Sequence, residues 1–545
     1  MTLNGFAQKV NLNTPLPQDK NIRKGVLKNG MTYYLHNTDV TKGVASYYII
    51  QNVGSILEND NQQGLAHFLE HMAFNGTKSF PGKGLLTKMQ EHGLVFGKDI
   101  NAYTAFDETV YNINNIPTTP ELIDTGLQVL HDWSNYLSLK EEEIDAERGV
   151  IKEEWRTRQN GGMRVLQKTI GTMTNSSKYA KRLPIGLMSI VKNFDYKALR
   201  DFYHDWYRTD LQAIAIVGDF NVDEMEAKIK TKFSSIPAVK DAPKRYNVII
   251  KDNNEMLYDI AMDKEIATSN ISFSIRHPKS LKNQTLGDLK EDLLNSMVNS
   301  ILGKRFQEIT QQPDAPFMFV RAGFNDDSMA RNHKSFNLRV YPKPNMQQAA
   351  FKLAIEEVNR AVKFGFTNAE ISRVKAEFSN YYENQISKLG DRAHGEIINI
   401  VKENYLKNAS MTNINMEYQA VKFFFSQLTK EDLLAQVQKM YTKKNRVLIV
   451  TGIKGNKNLT KEEALTIINN AENSKTLQPY EEEEEAKDLM SGVTLTAGKI
   501  VSETTNKAIG STEFTLSNGI KVHYKFVKKK KTKLIYKQSV MEECL

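Results

Sequence analysis

Hydrophobic and polar residues recur in two different patterns in the first part of the chain, and each pattern predicts one kind of element. Runs rich in β-branched and aromatic residues predict strands at 28–36, around 47–50 and at 213–219. Apolar positions three and four residues apart predict helices at 64–74, 122–137 and 140–159. This mixture predicts a first α+β domain over residues 21–237.

A second unit of similar size, residues 243–475, carries the same mixture of elements. Helical spacing recurs at 286–312, 347–364 and 369–389, and a strand is predicted at 446–451. The histidines of this unit, His277, His333 and His394, are too dispersed to form a metal-ligand set. We therefore expect a second α+β domain that carries no catalytic chemistry.

The pattern changes again after the second unit. Five consecutive acids, Glu481 to Glu485, stand in a stretch with little apolar content and predict a solvated acidic linker over 476–510. Residues 514–524 then repeat the Leu-x-Asn-Gly-apolar frame of residues 25–34, which indicates an internal repeat. Since residues 511–545 are too few for a core like the first two, we expect only the truncated start of a third domain.

Candidate chemistry is concentrated in the predicted helix 64–74, which contains His67-Phe-Leu-Glu-His71. His67, Glu70 and His71 share one face of this helix, so the two imidazoles can bind one ion together. A hydrolytic zinc site needs three protein ligands and a water of lowered pKa, whose proton Glu70 can take as general base. The order of the residues is that of an inverted zinc peptidase motif. The alternative is a surface helix with two solvated histidines.

A third ligand should come from a separate element, and the best candidate is the helix predicted at 139–155. Glu143, Glu147 and Glu154 share one of its faces. A solvated acidic face is the alternative, since that is the usual place of such residues. Spacing alone does not choose among the three carboxylates.

Four segments resemble the pitrilysin family, which includes insulin-degrading enzyme and mitochondrial processing peptidase. They occur in the order expected for that family, at 67–71, 75–80, 101–111 and 147–154. The resemblance implies that His67 and His71 bind one Zn²⁺ per chain and that Glu70 is the catalytic base. The family's helix reads Glu-Arg-x-Val-Ile-x-x-Glu and its last Glu binds the metal, which is Glu154 here. Glu147 then orients the ligands as an outer carboxylate, although chain distance from His71 favours it and keeps it as the alternative ligand.

The resemblance also implies a fold and a mode of substrate binding. We expect tandem homologous α+β domains, each a mostly antiparallel sheet packed with helices, that form the N-terminal half of a clamshell from a long bacterial-type member. The run 101–111 is predicted as one strand at a sheet edge, where a peptide substrate adds as a further strand. Asn101, Ala102 and Tyr103 are therefore predicted substrate contacts; an ordinary core strand is the alternative.

Composition removes some function classes. The formal charge is +9, but seven lysines lie between Lys525 and Lys537, and the remaining +2 argues against a nucleic-acid partner. No apolar run is long enough to span a membrane, so no membrane span is expected. The single cysteine, Cys544, allows no intrachain disulfide.

Both ends of the chain raise hypotheses about the gene. Residues 1–20 are expected to be an N-terminal extension, because Gly5-Phe-Ala7 resembles the end of a secretory signal whose true start lies upstream. A periplasmic or secreted protein is therefore expected, with a cytoplasmic location as the alternative. Four lysines from Lys528 onward imply an adenine-rich codon run, and we hypothesise a frame shift there that makes the basic tail an artefact.

Two function classes follow from these observations. The first is a zinc-dependent metalloendopeptidase that hydrolyses peptides or small unfolded proteins with a zinc-activated water and Glu70 as general base. The second is a non-catalytic peptide-binding or partner subunit of the same fold, which the apparent truncation favours. The expected ligands are peptide substrates, and a complementary C-terminal half or second subunit is an expected partner. A zinc-stabilised scaffold is less consistent, since structural zinc sites close the fourth position with another protein ligand.

Overall fold

The structure, a computed structural model, describes residues 10–282, 284–327, 329–481, 493–494 and 496–525. The frame-shift hypothesis from Lys528 and the first nine residues of the predicted extension lie outside these ranges. Residues 10–20 run along the second unit of the chain, where Leu16 N donates to Gln284 O at 3.1 Å. In the described ranges no helix combines the length and the apolar character that crossing a bilayer requires.

The first sheet has six strands in the order β1-β2-β6-β3-β5-β4. Its strands are β1 (Arg23–Val26), β2 (Thr32–Asn37), β3 (Val44–Gln51), β4 (Ile100–Thr104), β5 (Thr109–Pro117) and β6 (Gln212–Gly218). The pair β2 and β6 is parallel and the other pairs are antiparallel. The helices of this part are α1 (Leu65–Met72), α2 (Gly84–Glu91), α3 (Pro120–Asn135), α4 (Glu141–Arg158), α5 (Gly161–Met173), α6 (Met188–Val191), α7 (Tyr196–Trp206) and α8 (Val222–Phe233).

The second sheet has five strands in the order β7-β11-β8-β10-β9. Its strands are β7 (Leu257–Met262), β8 (Asn270–Pro278), β9 (Phe317–Asp326), β10 (His333–Pro342) and β11 (Arg446–Gly452). The helices of this part are α9 (Leu286–Gln311), α10 (Gln347–Phe364), α11 (Asn368–Ser387), α12 (His394–Lys407), α13 (Ile414–Gln427), α14 (Lys430–Met440) and α15 (Lys461–Asn473). Short 3₁₀ turns lie at Ser55–Leu57, Asp60–Gln62, Lys178–Lys181, Thr209–Leu211 and Leu389–Asp391.

The two sheets share one topology. Without β1, each reads first, last, second, fourth and third strand in chain order, and in each the first and last strands are the parallel pair. Each sheet has its own apolar core with its own helices. The predicted α+β fold, tandem domains with mostly antiparallel sheets, is thereby confirmed.

The second domain also covers part of the first. Ile397, Ile398 and Val401 of α12 pack against Ala213 and Ala215 of β6, on the face of the first sheet opposite its main core. Because β6 is covered on both faces, all seven of its residues are buried. The described residues up to Tyr480, which include both domains, therefore form one compact unit.

A separate unit, residues 481–545, contains a three-stranded antiparallel sheet. Its strands are β12 (Ile500–Asn506), β13 (Ser511–Leu516) and β14 (Lys521–Tyr524). Strand β12 lies inside the range 476–510 that the sequence predicted as a linker. The predicted linker is therefore too long at its C-terminal end. The physical reason is local, since Ile500, Val501 and two threonines are β-branched and favour an extended backbone.

Candidate metal centre

Helix α1 carries the motif and is held at its N-terminus by a buried carboxylate. Gly64 precedes the helix with φ +103°, and a Cβ there would come within 3.0 Å of Gly186 Cα. The Glu58 side chain accepts from Gly64 N at 3.1 Å and from Ala66 N at 2.8 Å, and so caps the first turn. Burial raises the pKa of Glu58 to about 8, although these N–H groups and Arg182 favour its charged form.

Three predicted ligands come together where α1 meets α4. Glu154 Oε2 lies 3.5 Å from His67 Nε2 and 3.3 Å from His71 Nε2. Among the described residues these side chains form a group whose ligand atoms all lie within 4.8 Å of one another. Glu143, the other carboxylate on that face of α4, is outside this group.

The group fits a zinc ion. Zinc bonds of about 2.0–2.2 Å in a tetrahedral shell place neighbouring ligand atoms about 3.3–3.5 Å apart, which matches the separations from Glu154. Glu154 Oε2 is buried, and no donor of suitable geometry in the described part of the chain reaches it. A cation at this point would satisfy that oxygen, and two imidazoles with a carboxylate are a donor set that zinc prefers.

Glu147 lies on the far side of His71 from Glu154. His71 Nδ1 is 2.7 Å from Glu147 Oε1, and the amide of Asn75 donates to Glu147 Oε2. A carboxylate can only accept, so Glu147 holds a proton on Nδ1 of His71, and Nε2 is then the nitrogen with which the neutral imidazole would bind a metal. Glu147 therefore occupies the position of an outer carboxylate that orients a histidine.

The surroundings shift the protonation of the group. Burial and the neighbouring His71 lower the pKa of His67 to about 4, which keeps that imidazole neutral. Burial also opposes a charge on His71, but its carboxylate neighbours Glu147 and Glu154 raise its pKa to about 9. The pKa of Glu154 is lowered, since contacts with the two histidines and with Arg158 outweigh burial.

Glu70, the residue before His71 on α1, faces the same space as the three candidate ligands. Its Oε2 lies 4.0 Å from His67 Nε2 and accepts a hydrogen bond of 2.8 Å from Thr104 Oγ1 on β4. Burial raises the pKa of Glu70, and the Thr104 hydrogen bond opposes this shift. A buried carboxylate of raised pKa beside a metal group is suited to take up and release a proton.

The predicted single strand at 101–111 is wrong, because the structure has a hairpin there. β4 and β5 are joined by a turn in which Ala105 N donates to Glu108 O at 2.8 Å. The turn residues Ala105 to Glu108 include neither glycine nor proline, so the sequence does not mark the turn. β4 is the edge strand of the sheet, as predicted for a substrate-binding strand.

The predicted substrate contacts on β4 face in two directions. Ala102 packs on the core beneath α1, on the face that also carries Thr104. Asn101 and Tyr103 lie on the other face, and Lys402 of α12 stands over the Tyr103 ring. The Tyr103 side chain thus points away from the metal group.

Sequence reasoning missed three residues of the site. Thr104 could have been found by counting two positions on from Ala102, but nothing in the sequence gives its distance to Glu70. Asn75 stands in a segment that the family resemblance already included. Glu58 has no local signal, since it caps α1 from outside the helix.

Comparisons with known proteins identify two matching family models. Residues 34–183 match the family model described as insulinase (peptidase family M16), and residues 193–378 match the model for the peptidase M16 inactive domain. The chain is 30% identical over 425 residues to the probable zinc protease PqqL of Escherichia coli K12, a match that covers 78% of this chain and 45% of that protein.

Solved structures give the same assignment. The first half of the periplasmic protease PqqL from Escherichia coli has a TM-score of 0.79 and 29% identity, covering 86% of this chain and all of that one. The full PqqL structure has a TM-score of 0.80 and 28% identity, covering 95% of this chain and 57% of that one. The chain thus spans about half the length of PqqL. With both domain models matched in order, the chain belongs to the insulinase family of zinc proteases, peptidase family M16.

Proposed function

We propose that this chain is the zinc-binding half of a metalloendopeptidase. The observation that carries the proposal is the meeting of His67, His71 and the unsatisfied Glu154 Oε2 beside a second buried carboxylate, Glu70. His67, His71 and Glu154 would hold one Zn²⁺. Glu147 would orient His71, since its carboxylate accepts from Nδ1.

Bound zinc would supply a Lewis acid that lowers the pKa of water and polarises a peptide carbonyl. The chain's own residues supply the proton transfers. Glu70 takes the proton of the attacking water and passes it to the leaving amine, which its raised pKa favours. Thr104 donates to the Glu70 oxygen that lies nearest His67 Nε2, and would so fix the orientation of this carboxylate beside the metal ligands.

Peptide substrates would bind along β4 as an added strand. The Ala102 N–H donates to the Asn101 side chain at 2.8 Å and is therefore directed to the open edge rather than into the ladder with β5. Main-chain pairing at this edge would accept many sequences, because it does not read side chains. Asn101 and Tyr103 would contribute through their backbone, since their side chains lie on the face of β4 opposite Thr104 and the Tyr103 ring contacts Lys402 of α12.

A complementary second half, either a C-terminal segment or another subunit, is the proposed partner of this chain. The chain spans about half of PqqL, and this supports the proposal. A periplasmic location is proposed on the same resemblance, since that relative is described as periplasmic. A second candidate function is a partner subunit of the same fold that binds peptides without cleaving them.

Zinc content and peptide cleavage distinguish the two functions. The chain would be purified, its zinc measured, and a mixture of quenched fluorescent peptides supplied, with Glu70→Gln as the matched variant. One zinc per chain, with cleavage abolished in the variant, supports the peptidase. One zinc without cleavage in either protein supports the partner subunit. Absence of bound zinc would contradict the proposed metal site under either function.

A further inference from the structure

An arginine of the second domain contacts the hairpin that carries Thr104. Arg331 lies in the loop between β9 and β10, is 6% exposed, and reaches the first domain with both terminal nitrogens. Its Nη2 donates to Asp107 O and, at 3.3 Å, to Glu108 Oε2, both in the β4–β5 turn. Its Nη1 donates to Asn52 Oδ1 at 2.6 Å and to Leu406 O at 3.3 Å.

The β4–β5 turn packs between Arg331 and residues 54–56, which precede α1 in the chain. Ser55 N and Ile56 N donate to the carbonyls of Ala105 and Phe106 at 3.2 and 2.8 Å. A Cβ at Gly54 would come within 2.4 Å of Ala105 O, so the two backbones touch. Arg331 therefore closes the open side of a tightly packed turn.

The Asp107 carboxylate, which lies near Arg331, has two other partners. Asp107 accepts from Arg245 Nη2 at 2.9 Å and from the Tyr179 hydroxyl at 2.8 Å. Arg331 Nε is 3.9 Å from the same carboxylate and is a longer contact. Removing Arg331 would thus release the turn without leaving a buried carboxylate unpaired.

The turn directly follows the residue that holds the proposed base. Thr104 is the last residue of β4, and its hydroxyl reaches Glu70 at 2.8 Å. We propose that Arg331 is a positioning residue for the peptidase reaction, supplied by the domain that carries no metal group of its own in the described ranges. It fixes the β4–β5 turn so that Thr104 holds Glu70 and the β4 edge keeps its place. The catalytic part of this proposal rests on the proposed function.

The test compares Arg331→Met and Arg331→Lys with Arg164→Met. Arg164 of α5 makes the matching contact between the domains away from the hairpin, with 2.6 Å to Asp263 Oδ2. Amide hydrogen exchange of peptides from residues 100–112 is measured in each protein, together with zinc content, unfolding midpoint, kcat and KM. Arg331→Lys keeps the charge but cannot reach all four acceptors. It replaces Arg331→Met as the test variant if the methionine variant fails to fold.

We expect exchange in 100–112 to rise by roughly tenfold or more in Arg331→Met, to a smaller extent in Arg331→Lys, and to stay within about twofold in Arg164→Met. Where the wild type cleaves, kcat should fall by about tenfold in Arg331→Met at unchanged zinc content. Adding Thr104→Val to that variant should then cost less than it does alone, because the two residues act through one contact.

Unchanged exchange in 100–112 in both Arg331 variants would overturn the proposal whatever the activity. Equal losses of kcat in Arg331→Met and Arg164→Met would overturn it too, since general weakening of the domain contact would then be the cause. A wild type that binds zinc without cleaving would contradict the peptidase function alone, because the exchange measurement still decides the role of Arg331 in holding the hairpin.

Discussion

The hydrogen bond from Thr104 to Glu70 can be removed with little change of shape. Thr104→Val replaces the hydroxyl by a methyl group and leaves the β-branched side chain in place on β4. A hydrogen bond to a charged group contributes about 1.5–3 kcal/mol. If it is needed to align Glu70 in the transition state, kcat should fall by roughly 10- to 150-fold, since each 1.36 kcal/mol is tenfold in rate.

Steady-state cleavage of a quenched fluorescent peptide measures this effect, with Thr104→Ser as the control that keeps the hydroxyl. KM and zinc content should stay near the wild-type values, because β4 keeps its backbone and the three ligands are untouched. The serine variant should recover most of kcat. A valine variant with kcat within about twofold of the wild type would refute the reasoning, as the bond would then have no part in catalysis.

Three further predictions concern carboxylates. Glu154→Gln should lose zinc, while Glu153→Gln, one position along α4 and exposed, should keep one zinc per chain by metal analysis. Glu147→Gln should weaken zinc affinity by about 10- to 100-fold in a competitive chelator titration, because His71 loses the charge that orients it. The pKa of Glu58 is raised from 4.5 to about 8 by burial. Between these pH values the folded chain holds a proton on Glu58 that the unfolded chain has released. The stability that this group contributes is therefore lost as the pH rises from 4.5 through 8. In denaturant titrations, Glu58→Gln should therefore lose less unfolding free energy than the wild type between about pH 5 and 8; equal losses would contradict the buried-carboxylate account.

Local patterns predicted the long helices well. The helix expected at 347–364 is α10 (Gln347–Phe364), and the one expected at 140–159 is α4 (Glu141–Arg158). Such helices carry several turns of helical spacing, and Gly365, with a positive φ, marks the end of α10. The single strand predicted at 101–111 is wrong because the turn of the hairpin contains no glycine or proline to mark it.

Contacts between distant elements were not predictable in this way. The packing of α12 on β6 joins residues that are far apart in the chain, and neither segment has a feature that specifies the other. Thr104 and Glu70 meet only because the hairpin folds back over α1. The motif and the family pattern supplied the candidate ligands, while the orienting residues needed the three-dimensional structure.

The central claim is that His67, His71 and Glu154 hold one zinc ion beside the base Glu70. The most direct test is zinc stoichiometry together with peptide cleavage for the wild type and Glu70→Gln. The account predicts one zinc per chain in both proteins and cleavage in the wild type alone. A wild type without bound zinc, or a Glu70→Gln variant that cleaves as fast as the wild type, would contradict it.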